Sequence, residues 1–299
     1  MNKNDNYTVS DEFSGSRLDR WIRKHYPEIS HGDLEIALRK GHIKVNDNKT
    51  KSNHRINLSD KISVNSFLRN KKKQTKNNYK RSSKKEIENM LIYEDDEILV
   101  INKPHGIAVQ GGSKIDKHID GLLQSSYKSL QPRLVHRIDR ETSGILLVAL
   151  NRKIADFLSY SFREKKITKY YWAITYGNLS KKSGIIDNKI KRKNSNTYID
   201  ALTEYTKYMN FNDKFNFMIY KPVTGRNHQI RIHSYDLGVP ILGDKKYGYN
   251  LEDNNKLHLH SKSIEFFHPN GKKMYFEADL PPHMKETWSL YNLPDEVKL

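Results

Sequence analysis

Seventeen residues constrain this chain more than any others. Residues 134–150 read Leu-Val-His-Arg-Ile-Asp-Arg-Glu-Thr-Ser-Gly-Ile-Leu-Leu-Val-Ala-Leu. An unbroken apolar run from Ile145 to Leu150, with β-branched Ile145 and Val148, predicts a buried strand. Just before it come His136, Arg137, Asp139, Arg140 and Glu141, five ionisable groups in six residues. Such a cluster belongs on a solvated surface, yet here the chain ties it to the end of a core strand, where clefts are commonly built. A free Asp has a pKa of about 3.9, and a nearby guanidinium lowers it by roughly 1–3 units. Asp139, flanked by Arg137 and Arg140, should therefore be ionised at neutral pH. It is a poor general acid and a plausible nucleophile or charge stabiliser. A loop carboxylate in a purely structural ion pair is the competing reading.

The literal string narrows the choice. His136-Arg137-Ile138-Asp139-Arg140-Glu141-Thr142-Ser143-Gly144 resembles the signature of the RluA/RluC/RluD-type pseudouridine synthases, His-Arg-Leu-Asp-Arg-(Asp/Glu)-Thr-Ser-Gly. The resemblance implies that Asp139 is the catalytic residue. Two further phrases follow in the family's order. Lys169, Tyr171 and Ala173 fall on the pattern Lys-x-Tyr-x-Ala, which makes Tyr171 the active-site tyrosine, its ring able to stack on a base. Neighbouring Tyr170 must face the other way, because strand side chains alternate. Thr224-Gly225-Arg226-Asn227-His228-Gln229-Ile230-Arg231-Ile232-His233, with Gly238-Val239-Pro240-Ile241-Leu242-Gly243-Asp244 and Tyr247-Gly248 after it, matches the third. By that match Arg231 pairs with the catalytic Asp, and a bidentate contact would hold the carboxylate. The strand phrase ending Asn102-Lys103-Pro104 resembles the family's first motif and is weak evidence alone. His228, His233, His258 and His260 raise the question of a metal. No His-Glu-x-x-His phrase is present, and packed, hydrogen-bonded histidines are the better reading. The resemblance implies neither metal nor cofactor.

Charge points to the partner. The 299 residues carry 53 Lys and Arg against 35 Asp and Glu, a formal net charge of +18, with a pI near 9.6. That excess calls for a polyanion. No apolar stretch approaches the roughly 20 residues that span a bilayer, and no apolar leader is visible, so RNA is the expected partner and a membrane is not. With no cysteine, disulfides and thiolate metal sites are excluded, and a reducing cytoplasm is the simplest setting. The expected oligomeric state is a monomer.

Two domains joined by a linker are expected. Residues 1–65 form a small basic module. Leu18, Trp21 and Ile22 make one apolar helix face, Ser30 and Asp33 are spaced as a helix cap, Gly41 suits a helix stop, and Asn46-Asp47-Asn48 is a turn. Gly15-Ser16-Arg17-Leu18-Asp19 and Arg39-Lys40-Gly41-His42-Ile43-Lys44-Val45-Asn46 resemble an S4-like RNA-binding domain, with Arg17, Arg39, Lys40 and Lys44 the expected RNA contacts, beside Arg137 and Arg140 in the second domain. Residues 66–88 read as a flexible basic linker, since Arg69–Lys85 holds nine basic residues and no acidic one. Residues 89–299 form the catalytic domain, of α+β class, with a mixed, largely antiparallel sheet and a central cleft. Residues 181–198, rich in Lys, Arg and Asn, predict a hairpin arm.

The function implied is isomerisation of specific uridines in RNA, 23S ribosomal RNA first, on a flipped-out nucleotide. The phrase Val109-Gln110-Gly111-Gly112 leans to the RluC type within the family. A non-catalytic RNA-binding or ribosome-assembly factor, and a hydrolase releasing uracil, are the competing functions.

Overall fold

The computed structural model describes residues 4–26, 29, 31–65, 82–111, 115, 117–192, 195–248 and 256–297. The expected cap residue Ser30, most of the expected linker (66–81), Gly112 and Lys193 lie outside the described residues. The chain divides into two compact units, one of Met1–Tyr79 with Gly111–Asp116, the other of Lys80–Gln110 with Lys117–Leu299.

In the first unit the strands β1 (Asn4–Thr8), β2 (Ile43–Val45) and β3 (Lys61–Asn65) form an antiparallel sheet in the order β1-β3-β2. Helices α1 (Leu18–His25) and α2 (His31–Lys40) join it in one apolar cluster. Leu18, Trp21 and Ile22 of α1 and Leu34, Ala37 and Leu38 of α2 are buried with Ile43, Ile62 and Val64. Gly41, at φ +77°, ends α2. Its N–H donates to Leu38 O and that of His42 to Ala37 O, which satisfies carbonyls the helix end leaves open. Asn46 and Asp47 both take positive φ, as a tight hairpin turn requires.

The second unit opens with helix α3 (Ser82–Glu88). The flexible linker expected over 66–88 therefore stops short of its predicted end. Ile87, almost fully buried, anchors that last turn, an apolar signal outweighed in the sequence by the lysines around it. Then follow β4 (Leu91–Glu94), β5 (Ile98–Lys103), α4 (Ile119–Ser126), β6 (Arg133–Leu134), β7 (Ser143–Ala149), α5 (Arg152–Arg163), β8 (Thr168–Tyr176), β9 (Ser183–Lys191), β10 (Tyr198–Phe211), β11 (Phe215–Pro222), α6 (Gln229–Asp236), β12 (Leu259–Phe267), β13 (Lys273–Glu277) and α7 (Pro282–Leu290). Ten strands make one sheet, in the order β4-β5-β7-β12-β8-β11-β10-β9, with β13 beside β12 and β6 beside β7. The β7–β12 pair is parallel and every other pair is antiparallel. The expected arm at 181–198 is the β9–β10 hairpin at the sheet edge.

β7 is buried along its whole length. Leu146 and Val148 pack on one face with residues of α3, α4 and α6. Ile145, Leu147 and Ala149 pack on the other with Ile154 and Leu158 of α5. A strand with helices on both sides must be apolar at every position, hence the unbroken run in the sequence. Alternation on β8 sends Tyr171 and Ala173 to the first face and Tyr170 and Trp172 to the second. Asn151 caps α5, accepting from Ile154 N at 3.0 Å.

Gly144 lets β7 meet β12. It sits at φ +105°, and a Cβ there would come within 2.3 Å of Ser261 O. Gly106, at φ +87°, has open space in the same direction. Gly144→Ala should therefore cost about 3–5 kcal/mol, strain plus a backbone clash, and Gly106→Ala about 1 kcal/mol. Urea unfolding of the two variants checks the order, and equal losses would contradict it.

Candidate active site

The cleft has a volume of about 580 Å³ and is lined by the loop before β7, the end of α5, β8 and the loop entering α6. Asp139, Tyr171 and Arg231, the three residues expected to carry the chemistry, all line it. Arg137 lines it too, whereas Arg140 is not among the lining residues. Arg140 donates through Nε to Gly106 O at 3.0 Å and lies 3.5 Å from Glu141.

The loop carrying Asp139 is fastened from below. Lys103, at the end of β5, is fully buried. Its ammonium donates to Pro104 O and Ile107 O, both at 2.9 Å, and to Arg140 O at 3.1 Å. Three donors meet three carbonyls, so a cation without a paired carboxylate is still satisfied. Burial pulls its pKa down to about 7, with Glu141 and Asp139 pulling it back. The N–H of Gly106 also donates to Arg140 O, at 2.9 Å. Asn102-Lys103-Pro104, weak as a sequence signal, is thus the clamp on the loop that carries Asp139. His136 fixes the loop's other end. Its Nε2 accepts from Leu147 N at 2.8 Å, so the ring proton sits on Nδ1, and its ring stacks on Phe162 with 4.7 Å between centroids.

Arg231 departs from expectation. Its fork does not close on Asp139 but on Asp244, with Nε to Oδ2 and Nη2 to Oδ1 both at 2.7 Å. The remaining Nη1 faces Asp139 at 3.8 Å. The reason lies in burial. Asp244 is 3% exposed and needs the strongest available partner, while the Asp139 side chain keeps 20% of its surface open to the cleft. Asp244 also accepts from the N–H groups of Lys246 and Tyr247 at 2.9 and 3.0 Å. Burial would raise its pKa, but the Arg231 contact and these two N–H groups outweigh that and hold it low. The Arg231 guanidinium is correspondingly raised against its own burial. The ring of Tyr247 lies 5.3 Å from the guanidinium carbon.

His228 is the residue the sequence reading missed. The expectation of a packed, hydrogen-bonded histidine fits His233, His258 and His260, each buried and hydrogen-bonded. His228 instead precedes α6 in the left-handed region, φ 56°, and lines the cleft. Its Nδ1 meets the Tyr247 hydroxyl at 3.0 Å and its Nε2 lies 4.0 Å from Asp139 Oδ1. A hydroxyl that donates to Nδ1 puts the ring proton on Nε2, the tautomer that suits a facing carboxylate. The phrase with Gly243, Asp244 and Tyr247 could have found it, since Tyr247 and Asp244 are what hold His228 and Arg231. Gln229 sets the local path of the chain. Buried, it accepts from Thr224 Oγ1 and Arg226 N and donates to Leu202 O and Thr203 Oγ1.

Tyr171, 7% exposed, is pushed up to about 12 by burial, with the charge of Asp139 adding to the rise and a hydrogen bond with Ser261 opposing it. At neutral pH it is a phenol, a ring to stack and an O–H to donate.

The chain is similar to known proteins in sequence and in fold. Residues 97–235 match the family model described as RNA pseudouridylate synthase. A ribosomal large subunit pseudouridine synthase C from Rickettsia typhi is 37% identical over 290 residues, covering 89% of this chain and 94% of the relative. The chain belongs to the RNA pseudouridylate synthase family. The protein of that same name from Vibrio cholerae is 32% identical, covering 93% of this pseudouridylate synthase and 94% of the relative. Among solved structures, human RNA pseudouridylate synthase domain containing 4 superposes with a TM-score of 0.61 at 24% identity, covering 71% of this chain and 95% of that one. Human RNA pseudouridylate synthase domain containing 1 gives 0.54 at 25% identity, covering 64% and 83%.

The buried histidines predict a stability that falls in acid. Burial lowers His136 and His260 to about 3 and His258 to about 4, all below the ordinary 6.5. The unfolded chain takes up protons below pH 6.5 that the folded one refuses, so stability is lost as pH falls from about 6.5 toward 4. Each group withholds about 1.4 kcal/mol per pH unit in that window. The urea midpoint should drop between pH 7 and pH 5, and a flat midpoint would contradict these assignments.

Proposed function

We propose that the chain isomerises uridines to pseudouridines in large-subunit ribosomal RNA, with Asp139 as the essential carboxylate. The observation that carries the reading is the meeting of Asp139, Tyr171, His228 and Arg231 in one cleft. The curated relatives of about 30–37% identity, each named a ribosomal large subunit pseudouridine synthase C, support the substrate.

In the reaction the bond from ribose C1′ to uracil N1 breaks and one from C1′ to C5 forms. C5 loses its hydrogen as a proton and N1 gains one, so atoms and electrons balance with no outside reactant. Asp139 is the one carboxylate among the cleft-lining residues, and it acts on the sugar or the base as the bond breaks. The guanidinium of Arg231 faces it and stabilises the negative charge that develops or returns there. The Tyr171 ring stacks on the extruded uracil and its hydroxyl donates. As a phenol near 12 it is too rarely deprotonated to be the resting base. The cleft takes an unstacked nucleotide, which single-stranded or bulged RNA presents at lower cost.

The first unit serves as an S4-like RNA-binding domain in this proposal, with residues 1–65 as its extent. In its support, two helices precede a hairpin, and Arg17, Arg39 and Lys40 are exposed, with Lys44 half-buried. The fork of Arg17 rests on Asp19 at 2.6 Å, an exposed pair of small worth that a phosphate can replace. A cytoplasmic setting is part of the proposal, and a role on ribosomal RNA supports it.

The test uses an unmodified 23S ribosomal RNA transcript carrying tritium at uridine C5. The wild-type chain should release tritium to water with no free uracil. Asp139→Asn should lose more than about 10³-fold in rate and bind the transcript within about threefold of wild type. Uracil release would make the protein a hydrolase. Absence of tritium release, with binding intact, would leave a non-catalytic RNA-binding factor.

A further inference from the structure

Among the described residues, Lys169 is a half-buried cation of the cleft that neither an ion pair nor a hydrogen bond compensates. Lys169 is on β8, two residues before Tyr171, so strand alternation puts both side chains on one face, about 7 Å apart along the strand. Both line the cleft. Among the described residues no carboxylate pairs with Lys169, and its ammonium makes no hydrogen bond. What it has is the ring of Phe162, 5.6 Å from Nζ to the centroid, and the same ring carries His136 on it. Partial burial without compensation draws the amine down to about 8. Lys103 makes the contrast. It is buried more deeply, yet three carbonyls receive its three N–H groups.

An uncompensated, half-buried ammonium costs stability unless something arrives to pair with it. Its surroundings say what arrives. The cleft wall around Phe162 adds Arg163 and Lys165, both exposed, and His136, whose proton sits on Nδ1 and which makes no other hydrogen bond among the described residues. Among the described residues, no acidic one lines that end of the cleft. Four donors and no acceptor suit an anion. A neighbouring Tyr171 that stacks the target base sets the anion's distance, about the span between a nucleotide's base and a backbone phosphate.

We propose that Lys169, with His136 and the rim cations Arg163 and Lys165, forms a phosphate subsite that grips a backbone phosphodiester of the strand carrying the target uridine, next to the extruded nucleotide. This rests on the RNA-isomerase reading above and adds to it where that strand is held. Phe162 is the subsite's apolar floor, its face toward the ammonium. The amine has no partner among the described residues because its partner is the substrate.

The experiment compares Lys169→Gln and Lys169→Arg with wild type, full-length, on the same unmodified 23S ribosomal RNA transcript. Filter binding between 50 and 200 mM salt gives the affinity and its salt slope. Tritium release gives kcat and KM. Lys169→Gln should weaken binding about tenfold and flatten the slope of log affinity against log salt by about 0.7, one phosphate contact on a single strand. KM should rise by the same factor, with kcat within about threefold of wild type. Lys169→Arg should keep affinity and slope within about threefold. Thermal unfolding of Lys169→Gln should occur at or above the wild-type temperature, since an unpaired buried charge has been removed. A slope unchanged in Lys169→Gln, or a Lys169→Arg as weak as Lys169→Gln, would overturn the subsite. A loss of kcat alone would do the same and give the amine a part in the chemistry. If the wild-type chain releases no tritium the isomerase reading fails, while the salt slopes still decide whether Lys169 holds a phosphate.

Discussion

The candidate site depends on one guanidinium held between two carboxylates. Arg231 closes its fork on Asp244 at 2.7 Å through two nitrogens and presents the third to Asp139 at 3.8 Å. The division follows from solvent. Asp244 is sealed in and takes the bidentate contact, and Asp139 opens on the cleft and is left with a facing charge and no tight bond. A carboxylate fully paired in the resting protein would have to break that pair before reacting. One that faces a fixed cation is already where the charge is needed, at no cost of reorganisation. Asp244 in turn is held by the backbone N–H groups of Lys246 and Tyr247, and Tyr247 reaches His228, the other group beside Asp139. A single loop thus supports both residues that flank the Asp139 carboxylate.

The opposite wall gets its rigidity from the core. β7 is apolar on both faces because helices cover both, and the loop before it inherits a fixed starting point. Lys103 and His136 then tie that loop down at both ends through backbone groups. Gly144 admits β12 at a distance no side chain would allow. These contacts involve no substrate, yet they set where the Asp139 carboxylate sits relative to Tyr171 and Arg231, and such placement is most of what a site of this kind supplies.

Much of this could be read from the chain. The Ile145–Leu150 run announced its strand because two-sided burial leaves no room for polar residues. The alternation of Tyr170 and Tyr171 followed from strand geometry, and the Gly41 helix stop from its left-handed backbone. Other features depended on distance in space, which sequence spacing does not carry. Arg231 and Asp244 are thirteen positions apart, and nothing in either phrase says that the fork prefers Asp244 to Asp139. His228 looked like its buried neighbours because composition cannot tell a histidine in a core from one at the lip of a cleft. Lys103 stood in a short phrase of low specificity, and its role rests on three carbonyls that the fold brings together. Ile87 was hidden among lysines, so the start of the second unit was placed too late.

The most direct measurement is a double-mutant cycle on the two ends of the shared guanidinium contact. Single-turnover tritium release from the 23S ribosomal RNA transcript is compared for Asp244→Asn, Arg231→Lys and the double variant. If Asp244 acts by aiming Arg231 at Asp139, the double variant will be no slower than the slower single one, because the second change removes nothing that still functions. Losses that multiply across the cycle would show that Asp244 and Arg231 act separately, and would contradict the arrangement on which this account of the site is built.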